Sequence, residues 1–430
     1  MIEQLRIERL VYGGAGIGRH EGKAVFVPCT APGDLVDCRI VREKKRYVEG
    51  ELVALLEPGR GRRTPPCPVF GRCGGCQWQH LGYGEQARWK EEIFRDTLVR
   101  QAGVAPELVR PLAQAPEEWG YRSRVQFKCR KTEQGLVMGF YRGGSHFVID
   151  VSQCPIAAPA INGALTHFRQ WLAASPCPER IPQVDMAVDD EGRVRVVVHV
   201  LDGREGALAD YLRPLAEAAG YALFLQSGRK DSLRLVIGAE DLHIHPESGG
   251  DPRLAYGPGG FAQVNLAQNR QLVAEVLAAL GDRAPGRVLD LFCGMGNFSL
   301  PLARRVGEVV GVEDYAPSIA KARANAARNG LANTSFHARS AEGAAEFFSR
   351  EQPFDLVLLD PPRAGAYAVT KELARLRPPR ILYVSCDPPT LARDLVPLLH
   401  GGYRLEWSRP FDLFPQTHHT ESLTALRLIV

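Results

Sequence analysis

Three short stretches in the last quarter of this 430-residue chain hold the residue types that catalysis uses. Ser385-Cys386-Asp387-Pro388 follows the apolar run Ile381-Leu382-Tyr383-Val384. Asp360-Pro361-Pro362-Arg363 follows Phe354-Asp355-Leu356-Val357-Leu358-Leu359 in the same way. Both place a polar group where a buried strand meets a turn, and open α/β sheets bind ligands at the carboxyl ends of their strands. A carboxylate held before two prolines is stiffly placed, because proline restricts itself and its predecessor. A cysteine alone reads as a small buried hydrophobe. Beside such an edge, next to a turn, Cys386 reads as a nucleophile. The third stretch, Gln416-Thr417-His418-His419-Thr420-Glu421-Ser422, supplies proton acceptors. Glu421 is the expected general base, with His418 and His419 as rivals near neutral pH.

Upstream, Arg287-Val288-Leu289-Asp290-Leu291-Phe292 runs into Cys293-Gly294-Met295-Gly296-Asn297, a strand-to-helix turn where glycines let a ligand approach the backbone. The turn lacks the third glycine of the dinucleotide fingerprint. Glu313 ends the next apolar run, 23 residues after Asp290, where an acid can accept both hydrogen bonds of a ribose. Such a site suits S-adenosylmethionine, which has no pyrophosphate to cradle. A methyl donor beside a cysteine and a base suggests one chemistry. Carbon 5 of uracil is a poor nucleophile until a thiolate adds at carbon 6, which puts electron density on carbon 5. Methyl transfer, removal of the carbon-5 proton and departure of the thiolate then follow. The thiolate is the reactive form, so the Cys386 pKa is expected to be lowered. Gln263, in Phe261-Ala262-Gln263-Val264-Asn265, offers an amide to a uracil edge or to the cofactor, or serves as a polar helix-entry residue.

Ten cysteines do not suggest disulfides in a cytosolic chain. Cys67-x5-Cys73-x2-Cys76 suits soft-metal ligation, and Cys154 in Gln153-Cys154-Pro155 is the expected fourth ligand. Cys–Pro recurs around iron–sulfur clusters. Structural zinc is the rival, although four-Cys zinc sites usually use two C-x2-C pairs and only one is present. A [4Fe–4S] cluster with a structural or RNA-docking role is expected.

Three units must position these groups. Residues 1–58 hold β-rich runs at Gln4–Val11, Ala24–Pro28, Leu35–Val41 and Arg46–Leu56, with glycine turns between, and suit a small OB-like barrel. Residues 59–260 read as a mixed α+β central domain that carries the cysteines. A helix is expected over Gly84–Gln101, and a strand over Arg122–Arg130 with a basic exposed face. From 261 to 430 short apolar strands alternate with helices, as in an α/β, doubly wound Rossmann-like sheet. A helix is expected over Gln263–Leu280, and two strands close the unit at Arg404–Trp407 and Leu423–Ile429. Net charge is only +4, yet Arg39–Arg63 alone holds eight Lys or Arg against four Glu. That clustering suits nucleic acid better than the total does. No apolar run approaches the roughly 18 residues of a membrane span, and the first residues lack a signal-peptide pattern, so a cytoplasmic protein is expected.

These motifs together resemble the bacterial RNA uracil-5 methyltransferases of the TrmA/RumA type, over nearly the whole length. The resemblance rests on a TRAM-type barrel at 1–58, the four cysteines, Phe261-x-Gln263-Val264-Asn265, Asp290 to Asn297, Asp360-Pro-Pro-Arg363, Ser385-Cys386-Asp387-Pro388 and His419-x-Glu421. It implies Cys386 as nucleophile and Glu421 as base. It implies S-adenosylmethionine contacts at Gln263, Phe292, Asn297, Glu313 and Asp360. A further contact falls where the family has Asn and this chain has Ser340. It implies [4Fe–4S] over zinc at Cys67, Cys73, Cys76 and Cys154. Family members that act on tRNA lack barrel and cluster, and a second rRNA-modifying type has the cluster alone, so the pair implies 23S rRNA as substrate. Another rRNA or tRNA site is the alternative. Two other classes stay open: a non-catalytic RNA-binding iron–sulfur protein, and an enzyme that methylates a base amino group and needs no Cys386.

Overall fold

The computed structural model describes residues 1–201, 203–228, 232–282, 285–347 and 353–429. Short alternating runs at the start pair into β1 (Ile2–Leu10), β2 (Gly16–His20), β3 (Lys23–Val27), β4 (Leu35–Glu43) and β5 (Tyr47–Glu57). They close into a barrel in the order β1-β2-β3-β5-β4, around Leu5, Ile7, Val25, Val27 and Val36. β2 has no apolar run to announce it. Pairing with β1 and β3, rather than propensity, makes Gly-Ile-Gly-Arg-His a strand.

Helix α1 (Tyr83–Ala102) matches the expected span and stops at Gly103, whose φ of 66° suits glycine. One stretch of it packs Trp89 and Ile93 against Leu10, Ala31, Trp78 and Leu81 of the barrel side. Phe94 and Leu98 enter the core of the C-terminal sheet. Lys90 on the same helix is fully buried. Its Nζ lies 2.6 Å from Asp412 Oδ1 and 3.0 Å from the Phe414 carbonyl.

The central sheet has the order β12-β11-β10-β9-β6-β7-β8. Its strands are β6 (Arg124–Thr132), β7 (Gly135–Tyr141), β8 (Val148–Asp150), β9 (Gln183–Val188), β10 (Val194–Val200), β11 (Ala222–Ser227) and β12 (Arg234–Ile237). Helices α2 (Pro159–Ala173) and α3 (Glu205–Ala218) pack apolar stripes on it. On β6 the expected alternation holds: Val125, Phe127 and Cys129 are buried, Gln126 and Arg130 exposed. The strand starts at Arg124 rather than Arg122, because the Arg122 backbone is taken by Ile156 and Ala158. A hairpin of β13 (Leu242–Ile244) and β14 (Leu254–Tyr256) follows.

The C-terminal unit contains α4 (Leu266–Ala278), β15 (Arg287–Leu291), α5 (Ser299–Ala303), β16 (Glu308–Glu313), α6 (Ala316–Arg328) and β17 (Thr334–Ala338). It continues with β18 (Leu356–Leu359), α7 (Tyr367–Leu376), β19 (Arg380–Ser385), α8 (Pro388–His400), β20 (Tyr403–Phe411) and β21 (Glu421–Leu428). The sheet order is β17-β16-β15-β18-β19-β21-β20. The first five strands are parallel and β21 is antiparallel to both neighbours. Strand order reverses on either side of β15, the switch point at which such sheets bind ligands. One expectation is corrected, and one strand, β17, is not announced by the sequence. α4 begins three residues after Gln263, because the Asn265 side chain caps it by accepting from Gln268 N at 3.1 Å. β17 lies at the sheet edge with only Phe336 buried, so it lacks the apolar run that marks the inner strands. Among the described residues no helix is long and apolar enough to cross a membrane.

Asp412 Oδ2 is buried without a hydrogen bond, so Lys90 is the main support of that carboxylate. Lys90→Met strands the charge, and we expect a loss of about 3–5 kcal/mol in urea unfolding. Adding Asp412→Leu should recover most of it.

Candidate active site

Parallel pairing carries the carboxyl ends of β15 to β19 to one edge. Phe292 follows β15, Glu313 ends β16, Asp360 follows β18 and Cys386 follows β19. β21 runs antiparallel to β19 with Ser422 opposite Ser385, so Glu421 reaches the same edge beside Cys386. A single register thus closes a gap of 35 residues.

Cys386 is half-buried. Its thiol does not show the expected lowered pKa. Burial pushes it up to about 12, and the charges of Glu421, Asp360 and Asp387 push the same way. Burial is the main cause, and the neighbours that add to it are carboxylates rather than cations. Glu421 is buried and held well above the usual carboxylate range, first by burial and then by Asp360. Asp360 is raised to about 7 by burial, with Asp290 and Glu313 adding. Asp290, fully buried in β15, is also raised to about 7 by burial. The Ser299 hydroxyl donates to its Oδ2, while Oδ1 has no hydrogen-bond partner.

The remaining expected cofactor residues fall into two groups. Glu313 is held at the glycine turn: Tyr315 N donates to Oε1 at 2.9 Å and Gly294 N to Oε2 at 3.3 Å. Phe292 has φ 64°, unusual for a bulky residue and a mark of a tightly specified turn. Asn297 exchanges amide hydrogen bonds of 2.9 and 3.0 Å with Asn269 of α4. Gln263 is buried on the segment that enters α4. Ser340 stands apart, exposed beyond β17 and bonded to Glu342. An unpaired buried oxygen, a fixed acid at the ribose offset and a strand edge of negative groups fit a cationic nucleoside such as S-adenosylmethionine.

Sequence reasoning missed the contacts around Cys386. Asp387 caps α8 by accepting from Thr390 N at 3.2 Å. Tyr12, on the barrel loop between β1 and β2, donates its hydroxyl to Asp387 Oδ1. Arg363 Nε lies 3.7 Å from the same oxygen. No pattern in the sequence links Tyr12 to a turn more than 370 residues away. His418 and His419 stack at 4.1 Å, and burial pushes their pKa values down to about 3 and 4. Both rings are therefore neutral and weakly basic.

Cys67, Cys73, Cys76 and Cys154 line one cavity of about 440 Å³, with Arg122 and Arg124 on its wall. Burial raises Cys73 to about 11 and Cys76 to about 12, and the sulfurs' mutual charge adds. The loops are fastened: Gly75 N donates to Cys73 Sγ at 3.4 Å, and the Asn162 amide bonds both the N–H and the carbonyl of Cys154. A soft, mutually repelling sulfur set of this kind fits a cationic metal or cluster. The spacing is wide. Among the described residues, Asp189, Glu191 and His243 are the one group of three ligand atoms within 4.8 Å of one another. That group is a turn lock, since Asp189 accepts from three backbone amides and from Arg193.

Comparison with known proteins identifies the family and the fold. A family model described as tRNA (Uracil-5-)-methyltransferase matches residues 90–428, and a TRAM domain model matches residues 3–53. The 23S rRNA (uracil(1939)-C(5))-methyltransferase RlmD of Pectobacterium atrosepticum is 38% identical, over 95% of this chain and 90% of its own length. That of Alkalilimnicola ehrlichii is 37% identical over 99% of this chain and 96% of its own. The fold is similar to that of the Pyrococcus abyssi tRNA (uracil-54, C5)-methyltransferase solved with S-adenosyl-L-homocysteine. The TM-score is 0.76 at 24% identity, covering 98% of this chain and 100% of that one. The chain therefore belongs to the tRNA (Uracil-5-)-methyltransferase family of S-adenosylmethionine-dependent enzymes, and it carries a TRAM domain.

Proposed function

We propose that this enzyme methylates carbon 5 of one uracil in 23S rRNA through a transient bond between Cys386 and carbon 6. The observation that carries the reading is the β19–β21 register, which sets Cys386 and Glu421 side by side at the ligand-binding edge. The names of the relatives, which specify 23S rRNA, support the substrate.

S-adenosylmethionine supplies the methyl group and a positive sulfonium. The chain's residues do the rest. Gln263, Phe292, Asn297, Glu313 and Asp360 would hold the donor, whereas Ser340 stands apart from them. A cation at this edge favours the charged forms of the acids around it, Cys386 included. Cys386 Sγ, as thiolate, bonds carbon 6 and the 5,6 double bond opens to an enolate. Carbon 5 then takes the methyl group. Glu421 accepts the carbon-5 proton, the enolate re-forms the double bond, and the Sγ–C6 bond breaks. Glu421 suits that step better than His418 or His419, because its raised pKa makes it the stronger base of the three.

Cys67, Cys73, Cys76 and Cys154 would hold a [4Fe–4S] cluster. Four-Cys zinc sites usually use two C-x2-C pairs, and this set has one, which favours the cluster. The arginines on the cavity wall suit a role next to RNA phosphates.

Four outcomes check this reading. Cys386→Ala should abolish methyl transfer while RNA binding survives, and Glu421→Gln should accumulate a methylated RNA–protein adduct on denaturing gels. Undiminished turnover in the first, or no adduct in the second, removes the residue from its role. Alkylation of Cys386 in the ligand-free protein, followed by peptide mass, should rise about tenfold per pH unit from 7 to 10. A thiol raised to about 12 is a trace thiolate throughout that range. A curve with its midpoint near pH 8.5 that levels off above about pH 9.5 would show an unperturbed thiol. Anaerobically purified protein should contain iron and acid-labile sulfide in equal amounts, with zinc at background, and Cys154→Ser should lose both.

A further inference from the structure

The loop between β20 and β21 leads into Glu421, the first residue of β21, and among the contacts that fasten it one residue, Gln416, carries a dense set of hydrogen bonds. Gln416 is fully buried with φ 72°, a left-handed conformation that persists only where the surroundings over-determine it. Its hydrogen bonds are complete. The backbone N–H donates to Gln86 Oε1 at 2.9 Å, and the carbonyl accepts from Gln77 N at 3.0 Å and Trp78 N at 2.9 Å. Side-chain Oε1 accepts from Arg63 at 3.0 Å and from Gln86 at 2.9 Å. Side-chain Nε2 donates to the Glu118 carbonyl at 3.3 Å and to Glu118 Oε2 at 3.1 Å. The partners come from the segment around the cysteines, from α1 and from the approach to the central sheet. The Tyr121 hydroxyl adds a bond to the Pro415 carbonyl at 2.9 Å. The residues on which the methylation chemistry rests do not account for this network.

We propose that Gln416 is the positioning residue for the general base: its amide, clamped between Arg63, Gln86 and Glu118, sets the loop so that the Glu421 carboxylate reaches the carbon-5 proton. The inference rests on the proposed roles of Cys386 and Glu421. A loosened loop leaves the thiol and the methyl donor in place, so it delays only the last steps.

Gln416→Glu keeps the shape and turns the one donor edge into an acceptor facing Glu118. We expect single-turnover methylation to proceed and the RNA–protein adduct to accumulate. Multiple turnover should fall by about 10²-fold, the scale of a roughly 1 Å misplacement. RNA affinity should stay within about threefold, as for an interaction felt only after binding. Adding Glu118→Gln restores donor to acceptor and should return turnover to within about fivefold of the parent, a coupling that a double-mutant cycle reads directly. Loss of turnover without adduct, or a double variant no better than Gln416→Glu, overturns the inference. Glu421→Gln is run alongside. If that variant itself gives no adduct, the base assignment falls first and this role falls with it, a pattern distinct from failure at Gln416 alone.

Discussion

Four carboxyl groups and a thiol gather at one strand edge, where burial and a chain of neighbouring acids make them harder to ionise. Burial raises each of them first; Glu313 then raises Asp290, Asp290 and Glu313 raise Asp360, Asp360 raises Glu421, and Glu421 and Asp360 raise Cys386. Arg363 faces Asp387 and Tyr12 on the flank of the turn. A collection of like charges away from water is stable only while it holds its protons. In the ligand-free protein the neutral forms of Cys386 and Glu421, the proposed nucleophile and base, are therefore favoured over the charged ones. A positively charged occupant relieves this repulsion, so affinity for a sulfonium and readiness of the thiol draw on the same electrostatics.

Much of that edge was legible in the sequence because it is written locally. An apolar run that ends in Asp-Pro-Pro or Ser-Cys-Asp-Pro states both the strand and the group at its tip. The glycine turn with Glu313 downstream states the fold class. The expected thiol pKa went the wrong way, since it depends on which side chains from β18 and β21 stand next to Cys386, and only the sheet order decides that. Gln416 was equally hidden. Its significance lies in Arg63, Gln86 and Glu118, more than 290 residues away, and an isolated Gln in a loop looks like any polar surface residue. β2 and β17 escaped for the opposite reason: they are strands by neighbourhood, with too little apolar pattern of their own.

Helix α1 explains how distant parts of the chain reach one site. It gives Trp89 and Ile93 to the barrel side, Phe94 and Leu98 to the C-terminal core, Lys90 to Asp412 and Gln86 to Gln416. Residues that follow it extend the edge of the C-terminal sheet, with Arg110 N bonded to the Ser408 carbonyl and Ala113 N to that of Pro410. The segment that bears Cys67 to Cys76 is thus clamped between two folded units. Its conformation is tied to that of the loop carrying the base.

The shared core of Leu10, Ala31, Trp78 and Leu81 has a mechanical meaning. A barrel joined by a free linker would sample many distances and grip almost any strand of sufficient length. Here packing sets the span from the barrel rim to the turn at Cys386, and Tyr12 pins its far end. A macromolecule that touched both would be measured against a rigid gauge, accepted for the separation of its parts and rejected when folded to another shape.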